Sequence, residues 1–191
     1  MTLHQDTRSG AGTLARLITE IFAPAVLVTV LLLVVGRWWG VPAAVFTAGI
    51  PMAYVFRGVR RGDWADHHIP ERAHRKAPLL FGVGSVAVGL TALILLGAPR
   101  SLLALMIAGV AGLVVFGAVT AFWKMSIHAG VAAGTVAVLV VVYGPWALLG
   151  ALLLPLIGWS RVRLTAHTPA QVVAGTVVGA LIAGTVFPAL R

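Results

Sequence analysis

Apolar residues in this chain fall in blocks too long for buried strands and too uniformly apolar for amphipathic surface helices. The blocks run over 14–36, 41–56, 78–96, 101–121, 129–143, 146–158 and 169–187. Several approach the roughly 20 residues that an α-helix needs to cross the hydrocarbon core of a bilayer. Between them lie a polar loop at 57–77, a short polar segment at 122–128 and another at 159–168. Gly144-Pro145 interrupts the fifth block and separates it from the sixth. Those two blocks are short, so they are expected to tilt or to extend into the flanking polar segments. The pattern predicts an all-α, polytopic transmembrane helix bundle with about six or seven spans. It forms a single integral membrane domain over 1–191.

Composition supports this reading. Charged residues make up 10% of the chain, against roughly 25% in soluble domains, too few for a water-facing surface. The first block is longer than the apolar core of a signal peptide and no small-residue cleavage site follows it, so it is expected to span. With no cysteine, disulfide and thiolate chemistry are excluded. Small residues recur four apart at Ala108/Gly112, Gly130/Gly134 and Gly175/Gly179, a spacing that serves helix packing in lipid.

The net charge of +9 is unevenly placed. Two spans separate each polar segment from the next, so all three share the N-terminal side. That side holds Arg8, Arg16, Arg57, Arg60, Arg61, Arg72, Arg75, Lys76, Lys124, Arg161 and Arg163. The other side holds Arg37, Arg100 and Arg191, and all six histidines fall on the basic side. The positive-inside rule makes that side cytoplasmic, for an integral protein of a bacterial plasma membrane. The basic loops suit anionic membrane lipids. Without an aromatic-basic platform or a known motif, no nucleic-acid partner is expected.

Two polar segments end alike, with a histidine at the start of an apolar helix. One reads Lys124-Met125-Ser126-Ile127-His128, where Ser126 suits the N-cap. The other runs from Ser160-Arg161 to His167-Thr168-Pro169, where Thr168 suits the cap and Pro169 the first turn. Free backbone N–H groups and the positive end of the helix dipole make such starts anion sites, with phosphate the usual guest. Arg161 and Arg163 add guanidinium donors that match phosphate oxygens.

Ser160-Arg161, five residues, then His167 resembles the third signature of the type 2 phosphatidic acid phosphatase superfamily, Ser-Arg, five residues, His, three residues, Asp. Ser126-Ile127-His128 is similar to its second signature, Pro-Ser-Gly-His, and the gap of 39 residues between the histidines fits. The resemblance covers about Asp66 to the C-terminus. It implies a phosphatase of lipid phosphates that needs no metal and no cofactor. His167 would attack phosphorus and form a phosphohistidine, and His128 would protonate the leaving oxygen. Arg161 and Ser126 would hold the phosphate, with Lys124 beside them. The first signature is matched only by His68, six residues, Arg75-Lys76, which makes Arg72 and Arg75 the phosphate contacts there. Met125 and Ile127 stand where the family has proline and glycine, and Gln171 stands where it has the aspartate that orients the nucleophile. Glutamine can accept a hydrogen bond from the ring but brings no charge. Thr168-Pro169-Ala170-Gln171 also reads as a capping box.

Three other functions follow from the same residues. A degenerate relative would bind lipid phosphate without hydrolysing it, as Ile127 and Gln171 favour. A transporter is disfavoured because no acidic residue lies mid-span, Glu20 being nearest. A magnesium-dependent lipid transferase would rely on Asp63, Asp66 and Glu71, fewer carboxylates than a magnesium-diphosphate site normally uses. The lipid, its number of phosphates and the oligomeric state stay open.

Overall fold

The computed structural model describes residues 10–62, 76–120 and 122–191. All secondary structure among them is helical. The α-helices are α1 (Gly10–Ile21), α2 (Pro24–Gly36), α3 (Gly40–Ala44), α4 (Ile50–Arg61), α5 (Lys76–Leu95), α6 (Arg100–Thr120), α7 (Ile127–Tyr143), α8 (Leu153–Arg163) and α9 (Pro169–Leu190). A 3₁₀ stretch, Pro145–Leu152, leads into α8. Four helical runs are long and apolar enough to cross a membrane: Gly10–Arg61, Arg100–Thr120, Pro145–Arg163 and Pro169–Leu190. Leu80–Leu95 and Ile127–Tyr143 are apolar but shorter.

The 52-residue run Gly10–Arg61 is not one straight rod. Pro24 cannot donate a backbone hydrogen bond and disfavours helical geometry in the residue before it. Ala23 is accordingly extended, at φ −60° and ψ 142°, so the predicted block 14–36 is two helices with a break before Pro24. The chain then doubles back. Arg37 takes a positive φ of 52°, and Gly40 packs so closely on the backbone of Leu32 and Leu33 that no Cβ would fit.

The return leg contains a second proline effect. Residues Val45–Gly49 form one π-helical turn in which the Ile50 N–H reaches the Val45 carbonyl. In that register Pro51 would serve the Phe46 carbonyl but has no N–H. Ser85 of α5 takes its place, its Oγ donating to the Phe46 carbonyl at 2.7 Å.

Two other boundaries differ from the sequence pattern. The polar loop predicted at 57–77 is helical up to Arg61 and again from Lys76, and 63–75 lie outside the described residues. The sixth block does not stop at 158. Its helix continues to Arg163, which leaves only 164–168 as the turn into α9. Arginine is a good helix former, so the backbone stays helical through Arg161 and Arg163.

The contact that positions the site is between α7 and α9. These helices run in the same direction and are tied at both ends. The Ser126 N–H donates to the Gln171 carbonyl at 3.1 Å where they start. Arg191 Nη1 donates to the Val141 carbonyl at 2.9 Å where they finish. Between the ties the backbones nearly touch. A Cβ on Gly175 would strike the Ser126 carbonyl and one on Gly179 the Gly130 carbonyl. The expected packing role of the four-apart glycines holds here. Gly112, by contrast, faces open space.

Gly179→Ala is therefore expected to force α7 and α9 apart and to destabilise the protein by about 1–3 kcal/mol, the usual cost of overpacking. Gly112→Ala should cost nothing, or stabilise by up to about 1 kcal/mol through helix propensity. Unfolding of both variants in mixed detergent checks this. Equal midpoints would remove the crossing as the fold's tightest contact.

Candidate active site

The tie between α7 and α9 sets two helix starts side by side. Ser126 caps α7, and its fully buried side chain accepts from the Ala129 N–H at 3.4 Å. Thr168 caps α9 in a complete capping box. Thr168 Oγ1 accepts from the Gln171 N–H at 3.3 Å, and Gln171 Oε1 accepts from the Thr168 N–H at 3.1 Å. Pro169 occupies the first turn. Both caps lie where the sequence placed them.

Arg161 reaches the same rim from the last turn of α8. The turn after it folds back on its own backbone, since the Ala166 and His167 N–H groups both donate to the Arg161 carbonyl, at 3.0 and 3.3 Å. The nucleophile candidate and the phosphate-binding candidate are thus joined through one carbonyl. Thr165, at a positive φ of 53°, carries the sharpest part of the turn.

Of the eight site residues expected from sequence, Lys124, Ser126, Arg161, His167 and Gln171 are brought to this rim. The Ser126–Gln171 bond joins the two starts, and the charges of Lys124 and Arg161 both act on the His167 ring. His128 is half-buried in the first turn of α7, two residues past Ser126. Arg72 and Arg75 lie outside the described residues. Lys124 is exposed and Met125 buried. Ile127 is 47% exposed. Among the described residues no three histidine or carboxylate side chains group as metal ligands.

Three buried side-chain polar atoms among the described residues make no hydrogen bond of good geometry: Thr120 Oγ1, Arg161 Nε and His167 Nδ1. Such atoms are rare because each forfeits its bond to water. Two of the three belong to the residues that the sequence singles out. Thr120 was not anticipated. Thr47, Thr135, Thr176 and Thr185 each donate to the carbonyl four residues earlier, and nothing in the sequence marks Thr120 as different. Thr19 of α1 likewise carries no signal in the sequence. It is buried and accepts from Arg161 Nη1 at 3.2 Å.

The electrostatics favour a neutral imidazole. Burial pushes His167 below the ordinary histidine value, and the positive charges of Lys124 and Arg161 push the same way. The Gln171 side chain and the Lys124 backbone pull back towards the charged ring. A neutral imidazole keeps a lone pair available at pH 7, as a nucleophile requires.

On this basis the His167 ring should stay mostly neutral at pH 6.5, where an unperturbed histidine is half protonated. Lys124→Gln removes one charge that disfavours the proton, so the midpoint should move upward. Histidine NMR titration of both proteins in micelles reads this directly. A midpoint that is unchanged or lower in the variant would remove Lys124 from the electrostatics of the site.

No protein-family model matches this chain, and no curated protein sequence or solved structure does either, so the reading of the site rests on its own residues.

Proposed function

We propose that the protein is a membrane phosphatase of an isoprenoid or glycerolipid phosphate, working through a phosphohistidine. The observation that carries this reading is that two buried polar atoms without a hydrogen bond of good geometry, Arg161 Nε and His167 Nδ1, belong to residues joined by a backbone hydrogen bond, Arg161 in the last turn of α8 and His167 just before the start of α9, beside the start of α7. Such starts favour an anion, and arginine favours a phosphate oxygen. A lipid phosphate fits because its head would meet these donors at the rim while its tail stays among apolar helices.

In this mechanism a His167 nitrogen attacks phosphorus as the bond to the lipid oxygen breaks. His128 gives a proton to that oxygen, so the lipid leaves as an alcohol, or as a monophosphate if the substrate is a diphosphate. Water then attacks the phosphohistidine, His128 takes its proton, and phosphate leaves. Arg161, Lys124 and backbone N–H groups offset the charge on the transferring phosphoryl group. Arg72 and Arg75 complete the set of phosphate contacts proposed from sequence.

Gln171 favours a second reading, binding without turnover. Its Oε1 already serves the Thr168 N–H, and it brings no charge to support a charged ring. Phosphate release from polyprenyl and glycerolipid phosphates, with EDTA present, separates the two. Release by wild type and its loss in His167→Ala supports the enzyme. Gln171→Asp should raise turnover by adding the missing charge, and Gln171→Ala should lower it or destabilise the α9 start by about 1 kcal/mol. Retained binding with no release, in wild type and in Gln171→Asp, selects the second reading.

We also propose seven spans. The reversal at Arg37–Gly40 makes Gly10–Arg61 cross twice, and α5 to α9 complete the count. The site then faces the cytoplasm by its charge excess. A cysteine placed at exposed Phe122 should resist an impermeant thiol reagent in intact cells, whereas one at exposed Trp38 should react. The reverse pattern would invert the orientation.

A further inference from the structure

Arg161 is held from outside the stretch that resembles the phosphatase signatures. Its Nη1 donates to Thr19 Oγ1 at 3.2 Å, and Thr19 Oγ1 lies 3.3 Å from Ser160 Oγ. Ser160 Oγ in turn donates to the Ile157 carbonyl at 2.7 Å. A serine hydroxyl has one proton. With that proton on Ile157, Ser160 can only accept from Thr19. Thr19 therefore gives its own proton to Ser160 and turns its lone pairs to Arg161. The order is fixed from guanidinium to threonine to serine to carbonyl. Both hydroxyl residues are buried, Ser160 completely and Thr19 at 5% exposure, so water competes little for either.

The tether also selects which edge of the guanidinium is presented. Nη1 is the nitrogen on the side of the stem. The parallel N–H bonds that grip two oxygens of a phosphate side-on come from Nε and Nη2. Nε is buried and makes no hydrogen bond. Thr19 thus occupies the nitrogen that the side-on grip does not use and leaves the other edge to a ligand. Packing holds the tether in place, since Ile18 beside Thr19 sits in one apolar cluster with Ala132 of α7 and Ile157 of α8.

We infer that Thr19, relayed through Ser160, is a positioning residue that sets the side-on edge of Arg161 towards a phosphate, so that the first helix shapes the site without touching the substrate. This role rests on the lipid-phosphate reading given above.

The test uses the full chain in detergent with a polyprenyl monophosphate. Thr19→Val keeps the shape and removes the hydroxyl, Thr19→Ser keeps the hydroxyl, and Ser160→Ala breaks the relay at its far end. Loss of a charge-assisted contact predicts that Thr19→Val lowers kcat by about tenfold with a smaller change in KM. Thr19→Ser should stay within about threefold of wild type and Ser160→Ala should fall between them. In an Arg161→Ala background Thr19→Val should have no further effect, whereas a purely structural role would give the same fold-loss in both backgrounds. An active wild type with Thr19→Val within twofold of it, or equal losses in the two backgrounds, overturns the positioning role and leaves the phosphatase reading intact. If wild type releases no phosphate, the enzyme reading fails and the variants are compared by binding of the same lipid. Weaker binding by Thr19→Val, absent in the Arg161→Ala background, supports the role. Equal binding, or no binding by wild type, overturns it.

Discussion

Everything described at the rim depends on how closely α7 and α9 approach. In lipid there is little hydrophobic gain from bringing two apolar helices together, so association relies on close packing and on polar contacts between backbones. Gly130, Gly175 and Gly179 permit that approach. Its consequence lies at the ends of the helices. Two parallel helices in contact present two sets of unpaired N–H groups at one level. The Ser126 N–H bond to the Gln171 carbonyl then fixes their register. A shift of one residue along either helix would separate the two caps that the site combines.

The third element, α8, enters by a different kind of interaction. Its last turn carries charge, and a guanidinium near the bilayer needs acceptors. Thr19 supplies one, and Glu20, the one carboxylate side chain among the described residues, acts on Arg161 electrostatically. The two halves of the rim are therefore held differently, α7 and α9 by close backbone contact at glycines and α1 and α8 by the Arg161–Thr19–Ser160 hydrogen bonds set on an apolar cluster. They meet in the turn at 164–168, where a single carbonyl takes two N–H bonds.

The helical class was legible because blocks of apolar residues near bilayer length admit few other structures. The two helix starts were legible as well. Ser126, Thr168 and Pro169 are local signals, and a cap depends on residues within one turn. What could not be read depends on contacts distant in sequence. Thr19 and Ser160 are 141 residues apart, and no periodicity links them. The break before Pro24 was hidden because proline is tolerated in spanning helices. The end of α8 lies past the apolar block because hydropathy falls at Arg161 and Arg163 while their backbone stays helical. For the site, Lys124, Ser126, Arg161, His167, Gln171 and the capping box that occupies the Gln171 carbonyl oxygen were legible, but the hydrogen bond from Arg161 to Thr19 was not.

The π turn in the return leg couples two positions in a way that neither residue reveals alone. Pro51 leaves the Phe46 carbonyl without its helical donor, and Ser85 from a different helix fills that need. Position 85 is tied to position 51 through an acceptor that belongs to neither. A residue with an N–H at 51 would make the serine redundant, and an apolar residue at 85 would make the proline costly. The two sites form one unit of sequence variation, in which the effect of changing either depends on the state of the other.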